Sequence, residues 1–143
     1  MELKLSHCFI PVLDQGEALR FYRDVLGLEV RVDARLDTMP WLTVGPSSQP
    51  DVEIGLLPAD GPFVSPADRA TVKALVAKGA LYGVIFVTDD CDATFERIRA
   101  AGAEVLQEPT DQSYGVRDCA FRDPSGNHIR FSAPLQVGAG AAG

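Results

Sequence analysis

The spacing of apolar residues between positions 7 and 30 changes twice, and each change falls at a residue suited to a boundary. An apolar run from His7 ends at Asp14, and apolar residues then recur at helical spacing as far as Gly27. Asp14 can accept hydrogen bonds from the free amides at a helix start, and Gly27 suits the left-handed conformation that ends a helix. The pattern therefore predicts a strand, a helix and a second strand.

The same pattern returns later in the chain at an offset of 75 residues. The matched pairs are Ile10 and Ile85, Val12 and Val87, Asp14 and Asp89, Ala18 and Ala93, Gly27 and Gly102, Glu29 and Glu104, and Val30 and Val105. These positions serve different physical purposes at the helix start, the helix end and the next strand. We interpret them as an internal duplication of a strand-helix-strand module.

The remaining segments extend each module. Two β-rich runs at 41–44 and 52–57, joined by a Gly/Pro/Ser loop, predict a hairpin. A capping hydroxyl at Ser65, followed by Pro66, predicts a connecting helix over about 65–79 that ends at Gly79. The second module is predicted as a strand at 81–87, a helix at about 92–101, a strand at 104–106, a polar loop around 109–113, and strands at 116–122 and 127–132. The turn Asp-Pro-Ser-Gly at 123–126 joins the last two strands.

Length and composition limit the class of protein. A chain of 143 residues with 46% hydrophobic and 23% charged residues predicts one compact domain over 1–137. Within it, module one covers about 3–58 and module two about 81–133, with a shared core and a disordered tail at 138–143. A net charge of −7 without a Lys/Arg cluster argues against nucleic-acid binding. No apolar stretch approaches the roughly 20 residues that span a bilayer.

The cysteines and the start of the chain favour a cytoplasmic protein. Cys8, Cys91 and Cys119 are odd in number and share no metal or redox spacing, so we expect small packing residues rather than disulfides. A reactive thiol is the alternative. No signal-like segment opens the chain.

Two stretches, FYRDVLGLEV in the first module and FRDPSGNHIRF near the end, resemble the vicinal oxygen chelate superfamily of glyoxalases, bleomycin-resistance-type binding proteins and extradiol dioxygenases. The resemblance covers about residues 3–133. It implies an α+β fold in which two tandem βαβββ modules form curled mixed sheets around a cup-shaped pocket. It also implies a homodimer.

Catalytic members of that family hold a divalent metal in the cup with four His or Glu ligands. Carried over, His7 matches the first ligand and Glu53 the second, but the third position holds Tyr82 or Gly83 and the fourth holds Arg130. A guanidinium has no lone pair to donate and would repel a divalent cation. We therefore expect no metal cofactor.

A displaced metal site remains as an alternative. His128 lies two residues from Arg130, hence on the same strand face, and could join His7 and Glu53 in a His/His/Glu set.

Other candidates bear on ligand binding. Glu53, between two apolar neighbours, faces either solvent or the cup, where Arg130 would be its natural salt-bridge partner. Trp41 and Tyr114 could line an aromatic pocket, although Trp41 could equally be a core residue. His7 and His128 complete the predicted ligand-binding set.

The sequence thus predicts a protein that binds a small planar or anionic molecule in the cup without the usual metal. The alternative is a metal-dependent lyase or dioxygenase that acts on vicinal oxygens through the displaced site. Metal-free catalysis, with Glu53 as base and Arg130 as oxyanion partner, is a third possibility.

Overall fold

The structure is a computed structural model that describes residues 1–37 and 39–135. The predicted tail at 138–143 lies outside these residues. Within them the elements are β1 (His7–Val12), α1 (Gln15–Leu19) continuing as a π-helical segment (Arg20–Val25), β2 (Glu29–Arg35), β3 (Pro40–Gly45), β4 (Glu53–Pro58), α2 (Arg69–Ala77), β5 (Val84–Val87), α3 (Cys91–Ala100), β6 (Glu104–Asp111), β7 (Val116–Arg122) and β8 (His128–Pro134).

The chain forms two compact units, each containing one four-stranded mixed sheet. Among the described residues, the first unit comprises 1–37 and 39–82 with 123–127, and the second comprises 83–122 with 128–135. The strand orders are β1-β4-β3-β2 and β5-β8-β7-β6. In both sheets the first strand of the module runs parallel to the last, and the other pairs are antiparallel. The predicted α+β fold with two βαβββ modules is confirmed, and neither sheet closes into a barrel.

Strand alternation separates a buried and an open face in each sheet. In the first unit the buried positions include Ile10, Val12, Leu42, Val44, Ile54 and Leu56, together with Phe21 and Tyr22 of the helix. In the second unit they include Cys119, Phe121, Ile129 and Phe131, with Phe95 and Ile98 from α3. The rings of Phe95 and Phe121 are 5.3 Å apart. The opposite face of each sheet carries the candidate site residues.

The first helix of module one and the matching helix α3 of module two differ in length by one residue. The Asp14 carboxylate accepts from the Glu17 amide, and the Asp90 carboxylate accepts from the Ala93 amide, so the predicted match of Asp14 with Asp89 is wrong by one position. Gly27 and Gly102 both have positive φ, at 78° and 92°, as the offset of 75 predicts. The first helix therefore has one extra residue between cap and glycine, and the wider turns of its π-helical segment accommodate it.

Three predicted boundaries also differ from the structure. Strand β5 begins at Val84 and not at residue 81. The helix α2 begins at Arg69, because Ser65 and Asp68 form a turn in which the Asp68 amide donates to the Ser65 carbonyl. Strand β6 continues to Asp111 through the predicted loop, although Pro109 cannot donate to a ladder. This is possible because β6 is an edge strand with register shifts on both sides of Gln107.

The cysteines at positions 8, 91 and 119 are free, and the last two are buried. No helix in the part of the chain that the structure describes is long and apolar enough to cross a membrane.

Candidate functional site

The open face of the first sheet brings together three of the predicted site residues. The parallel pairing of β1 with β4 places His7 opposite Glu53 and Phe9 opposite Gly55. Thr43 of β3 lies opposite Gly55. Because alternate residues share a face, Trp41 lies on this face with Thr43. His7, Glu53 and Trp41 therefore share one surface of the first unit.

Trp41 is the centre of an aromatic cluster on this surface. Its ring lies 5.9 Å from Phe9, 6.1 Å from His7 and 6.3 Å from Phe63, measured between centroids. Phe9 and Phe63 are 53% and 65% exposed. A Cβ atom at Gly55 would lie 2.5 Å from the Phe9 ring, so only glycine allows this ring to come so close to β4. We call Phe9, Trp41, Phe63 and His7 the aromatic cluster.

A shallow apolar cleft adjoins Trp41. Its enclosed volume is only about 10 Å³, and its lining is formed by Met39, Pro40, Trp41, Leu57, Pro58, Gly61, Pro62 and Phe63. Trp41 is half-buried and contacts both the cleft and the cluster, so it is neither a fully buried core residue nor a free surface residue.

The polar part of the same surface is formed by Glu53 and its neighbours. The Thr43 hydroxyl donates to Glu53 Oε1 at 2.6 Å, and His7 Nε2 lies 3.4 Å from Glu53 Oε2. His7 Nδ1 is 2.9 Å from the Ser6 hydroxyl. An acceptor carboxylate and an imidazole therefore lie beside the aromatic rings, where they can bind a polar group of a planar ligand.

In the second unit, the other predicted residues meet around Asp118, which is 1% exposed. Asp118 Oδ2 accepts from Arg130 Nη1 at 2.9 Å and from the Tyr114 hydroxyl at 3.3 Å. Asp118 Oδ1 accepts from the side-chain amides of Gln107 at 2.7 Å and Gln112 at 2.9 Å. We call Arg130, Asp118, Gln107, Gln112 and Tyr114 the Arg130 cluster.

Burial, hydrogen bonds and nearby charges shift the pKa values of Asp118 and His128. Burial opposes ionisation of Asp118, but hydrogen bonds from Gln112, Gln107 and Arg130 hold its pKa below the usual value. His128 Nε2 lies 3.4 Å from Arg130 Nη2. Burial and the nearby guanidinium groups of Arg130 and Arg122 lower the pKa of His128. At neutral pH the unprotonated imidazole can accept from Arg130.

The structure changes one expected pairing and adds residues that the sequence analysis did not select, among them Asp118 and the exposed rings of Phe9 and Phe63. Arg130 pairs with Asp118 rather than with Glu53, and Glu53 accepts from Thr43 in its own unit. Asp118 was not among the predicted site residues, because a carboxylate at an alternating strand position is usually exposed. The available signal was its place directly before the apolar segment Cys119–Phe121.

The residues at the four metal-ligand positions implied by the resemblance do not fit a metal. Arg130 has no lone pair and is bound to Asp118. Tyr82 is 99% exposed, and Gly83 lies against the carbonyl of His128 with no room for a side chain. Only His7 and Glu53 offer suitable donors.

For the displaced set, His7 and Glu53 belong to the first unit and His128 to the second. Across residues 1–37 and 39–135, no group of three or more His, Cys, Asp or Glu side chains is placed to hold a metal ion.

Comparisons with known proteins agree with this architecture. UcmS2, a solved structure, is 39% identical, with 92% of this chain and 98% of that chain covered and a TM-score of 0.84. TnmS3, an antibiotic binding protein from Streptomyces sp. CB03234, is 28% identical, covering 93% and 97% of the two chains at a TM-score of 0.72. A probable lactoylglutathione lyase of Vibrio cholerae is 30% identical over 146 residues, covering 98% of this chain and 97% of its own.

A family model matches residues 4–131, which is most of the chain. The paired modules, the strand order and the relatives are consistent with that match. The chain belongs to the Glyoxalase/Bleomycin resistance protein/Dioxygenase superfamily.

Proposed function

We propose that this protein binds a small planar molecule through the aromatic cluster, without the metal that catalytic members of the family use. The observation that carries the proposal is the pair of exposed rings, Phe9 and Phe63, held around Trp41. Large aromatic side chains are rarely left exposed together without a binding role. Offset or edge-to-face contacts with a planar ligand would cover them.

The polar residues would orient the ligand. Glu53 and His7 would bind a polar substituent beside the rings. We propose Arg130, Tyr114 and His128 separately, as ligand-binding residues of the second unit. TnmS3 supports a binding role, since it is an antibiotic binding protein and is 28% identical to this chain.

Calorimetric titration with neutral two-ring and three-ring planar compounds tests the proposal. Phe9→Ala and Phe63→Ala should each weaken binding by about 1–2 kcal/mol, because each removes a stacking or edge contact. Tyr82→Ala is the matched control, since it removes an aromatic ring that is 99% exposed. Equal affinities in all three variants would contradict the role of the cluster, and so would absence of binding to the whole series.

A metal-dependent lyase is the second candidate. It is favoured by the 3.4 Å approach of His7 to Glu53 at two family ligand positions, and by the relative named as a probable lactoylglutathione lyase. Glu53 would also be the candidate base in a metal-free reaction.

Elemental analysis of protein purified without chelator separates the two candidates. We expect well under one equivalent of zinc, iron, nickel or manganese, because Arg130 and Tyr82 or Gly83 replace two ligands. A stoichiometric metal that is lost in His128→Ala would establish the displaced site and the lyase candidate.

We also propose that the protein is a cytoplasmic homodimer. Support comes from β5, an edge strand on which Ile85 and Val87 are 66% and 76% exposed. The free cysteines suit a reducing compartment. Light scattering at micromolar concentration should give twice the monomer mass, and a mass near 15.3 kDa at every concentration would contradict the dimer.

A further inference from the structure

We propose that the aromatic cluster selects a planar cation, such as an aromatic ring system that carries a protonated amino group. The inference rests on the proposed function and narrows its ligand class from small planar molecules to positively charged ones. The observation that carries it is the Glu53 carboxylate, which lies beside the rings in the same unit and keeps acceptor capacity for a ligand.

The Glu53 carboxylate is only partly used by its protein neighbours. Its Oε1 accepts from the Thr43 hydroxyl at 2.6 Å, and its Oε2 has His7 Nε2 at 3.4 Å. The second contact is longer than a charge-assisted hydrogen bond, which usually measures about 2.7–2.9 Å. The side chain is 27% exposed, so a donor from solvent can reach Oε2. A protonated amine can therefore bind Glu53 without displacing Thr43.

The negative charge of Glu53 is not matched by a lysine or an arginine. Among the residues that the structure describes, His7 is the only basic one within ion-pair distance of it. Arg31 of β2 instead donates to the Pro46 carbonyl at 2.7 Å and lies 3.6 Å from a carboxylate oxygen of Glu29. At about pH 8, where an imidazole is usually neutral, the surface beside the rings therefore presents a carboxylate without a cation.

The rings favour the same sign of charge. The face of an aromatic ring attracts a cation placed within about 6 Å of its centroid, most strongly for tryptophan. His7 joins the two parts of the surface, because its Nε2 lies 3.4 Å from Glu53 and its ring centroid lies 6.1 Å from that of Trp41. A planar ligand that covers Trp41 can therefore extend an amino group to Glu53. An anionic group at the same place would be repelled by the carboxylate.

Calorimetry on the full-length protein at about pH 8 tests the inference with three probes that share one three-ring plane. They are 9-aminoacridine, a cation at this pH, acridine, which is neutral, and acridine-9-carboxylate, an anion. The wild type should bind 9-aminoacridine about tenfold or more tightly than acridine, the worth of a hydrogen bond to a charged group, and should bind the carboxylate most weakly.

Two variants locate the source of this preference. Glu53→Gln keeps an acceptor for Thr43 but removes the charge, so the advantage of 9-aminoacridine over acridine should fall by about tenfold. Asp24→Asn is the matched control. It removes the same formal charge from an exposed pair with Arg23, on the helical segment that packs against the opposite face of the sheet, and should leave the ratio nearly unchanged.

The outcomes separate this inference from the proposed function. Acridine or its carboxylate binding the wild type as tightly as 9-aminoacridine overturns the inference and leaves the proposed function standing. A folded Glu53→Gln protein with an unchanged ratio also overturns it, and so does an equal change in Asp24→Asn, since overall charge would then explain the preference. If Glu53→Gln does not fold, the wild-type ratios decide. If no probe binds, or if Phe9→Ala leaves all three affinities unchanged, the proposed function itself fails and the inference falls with it.

Discussion

A single buried carboxylate, Asp123, organises the turn between β7 and β8. Its Oδ1 accepts from the amides of Ser125, Gly126 and Asn127 at 2.9, 2.9 and 2.8 Å. Its Oδ2 accepts from the Tyr22 hydroxyl at 2.6 Å and from the Asn127 side chain at 2.9 Å. The turn was predicted from its Asp-Pro-Ser-Gly sequence. The bond to Tyr22, 101 residues earlier in the chain, carries no local sequence signal.

Removing the Tyr22 hydroxyl tests the value of that bond. Tyr22→Phe should lower the free energy of unfolding by about 1.5–3 kcal/mol, because a hydrogen bond to a charged acceptor is lost inside the core. Tyr82→Phe, at a 99% exposed position, should change it by less than about 0.5 kcal/mol. Urea denaturation followed by circular dichroism measures both, and similar losses in the two variants would contradict this account.

The pH dependence of the same variant gives a second check. Burial and Asp123 hold the pKa of Tyr22 well above its ordinary value. The folded protein therefore keeps this proton at a pH where the unfolded chain loses it. The stabilisation by Tyr22 should be full below the unfolded pKa near 10 and decrease as the pH rises above it, so the gap between wild type and Tyr22→Phe should narrow there.

The candidate site shows which placements follow from the sequence and which need the tertiary structure. The resemblance selected His7 and Glu53, and Trp41 was selected as the only tryptophan of the chain. The structure places all three on one sheet face. Asp118 was missed because its partners come from Gln107 and Gln112, whose positions depend on the register shifts of β6. A bulge leaves no period in the sequence, so the network around Asp118 needs the tertiary structure.

For helix α1 and its π-helical continuation, the sequence predicted the two ends but not the hydrogen-bond pattern between them. Both ends were predicted from Asp14 and Gly27, since each carries a distinct conformational signal. At the C-terminal end of this helix the closing hydrogen bond spans one residue more than in α3. The Leu28 amide donates to the Tyr22 carbonyl six residues back, whereas the Ala103 amide donates to the Ile98 carbonyl five residues back. One extra residue over a single turn does not shift the apolar pattern enough to be detected.

The division of the chain into two units does not follow the two repeated modules of the sequence. The first unit contains residues 1–82 and also the turn at 123–127, which the sequence places inside the second module. This turn bonds to the first unit at three places. Asp123 accepts from Tyr22, the Ser125 hydroxyl accepts from the Leu13 amide at 2.8 Å, and the Asn127 side chain donates to the Pro11 carbonyl at 2.7 Å.

The first unit should therefore be unstable without the turn. A fragment of residues 1–82 retains β1 to β4 but loses the partners of the Tyr22 hydroxyl and of the Leu13 and Pro11 backbone groups. Each unsatisfied group costs about 1–3 kcal/mol, and a small domain has a total stability of only about 5 kcal/mol. The fragment should show no cooperative urea transition by circular dichroism. The matched control joins residues 122–128 to it through a flexible Gly/Ser linker and should regain a transition. Cooperative unfolding of the unmodified fragment would show that the first module is self-sufficient and that the turn is dispensable.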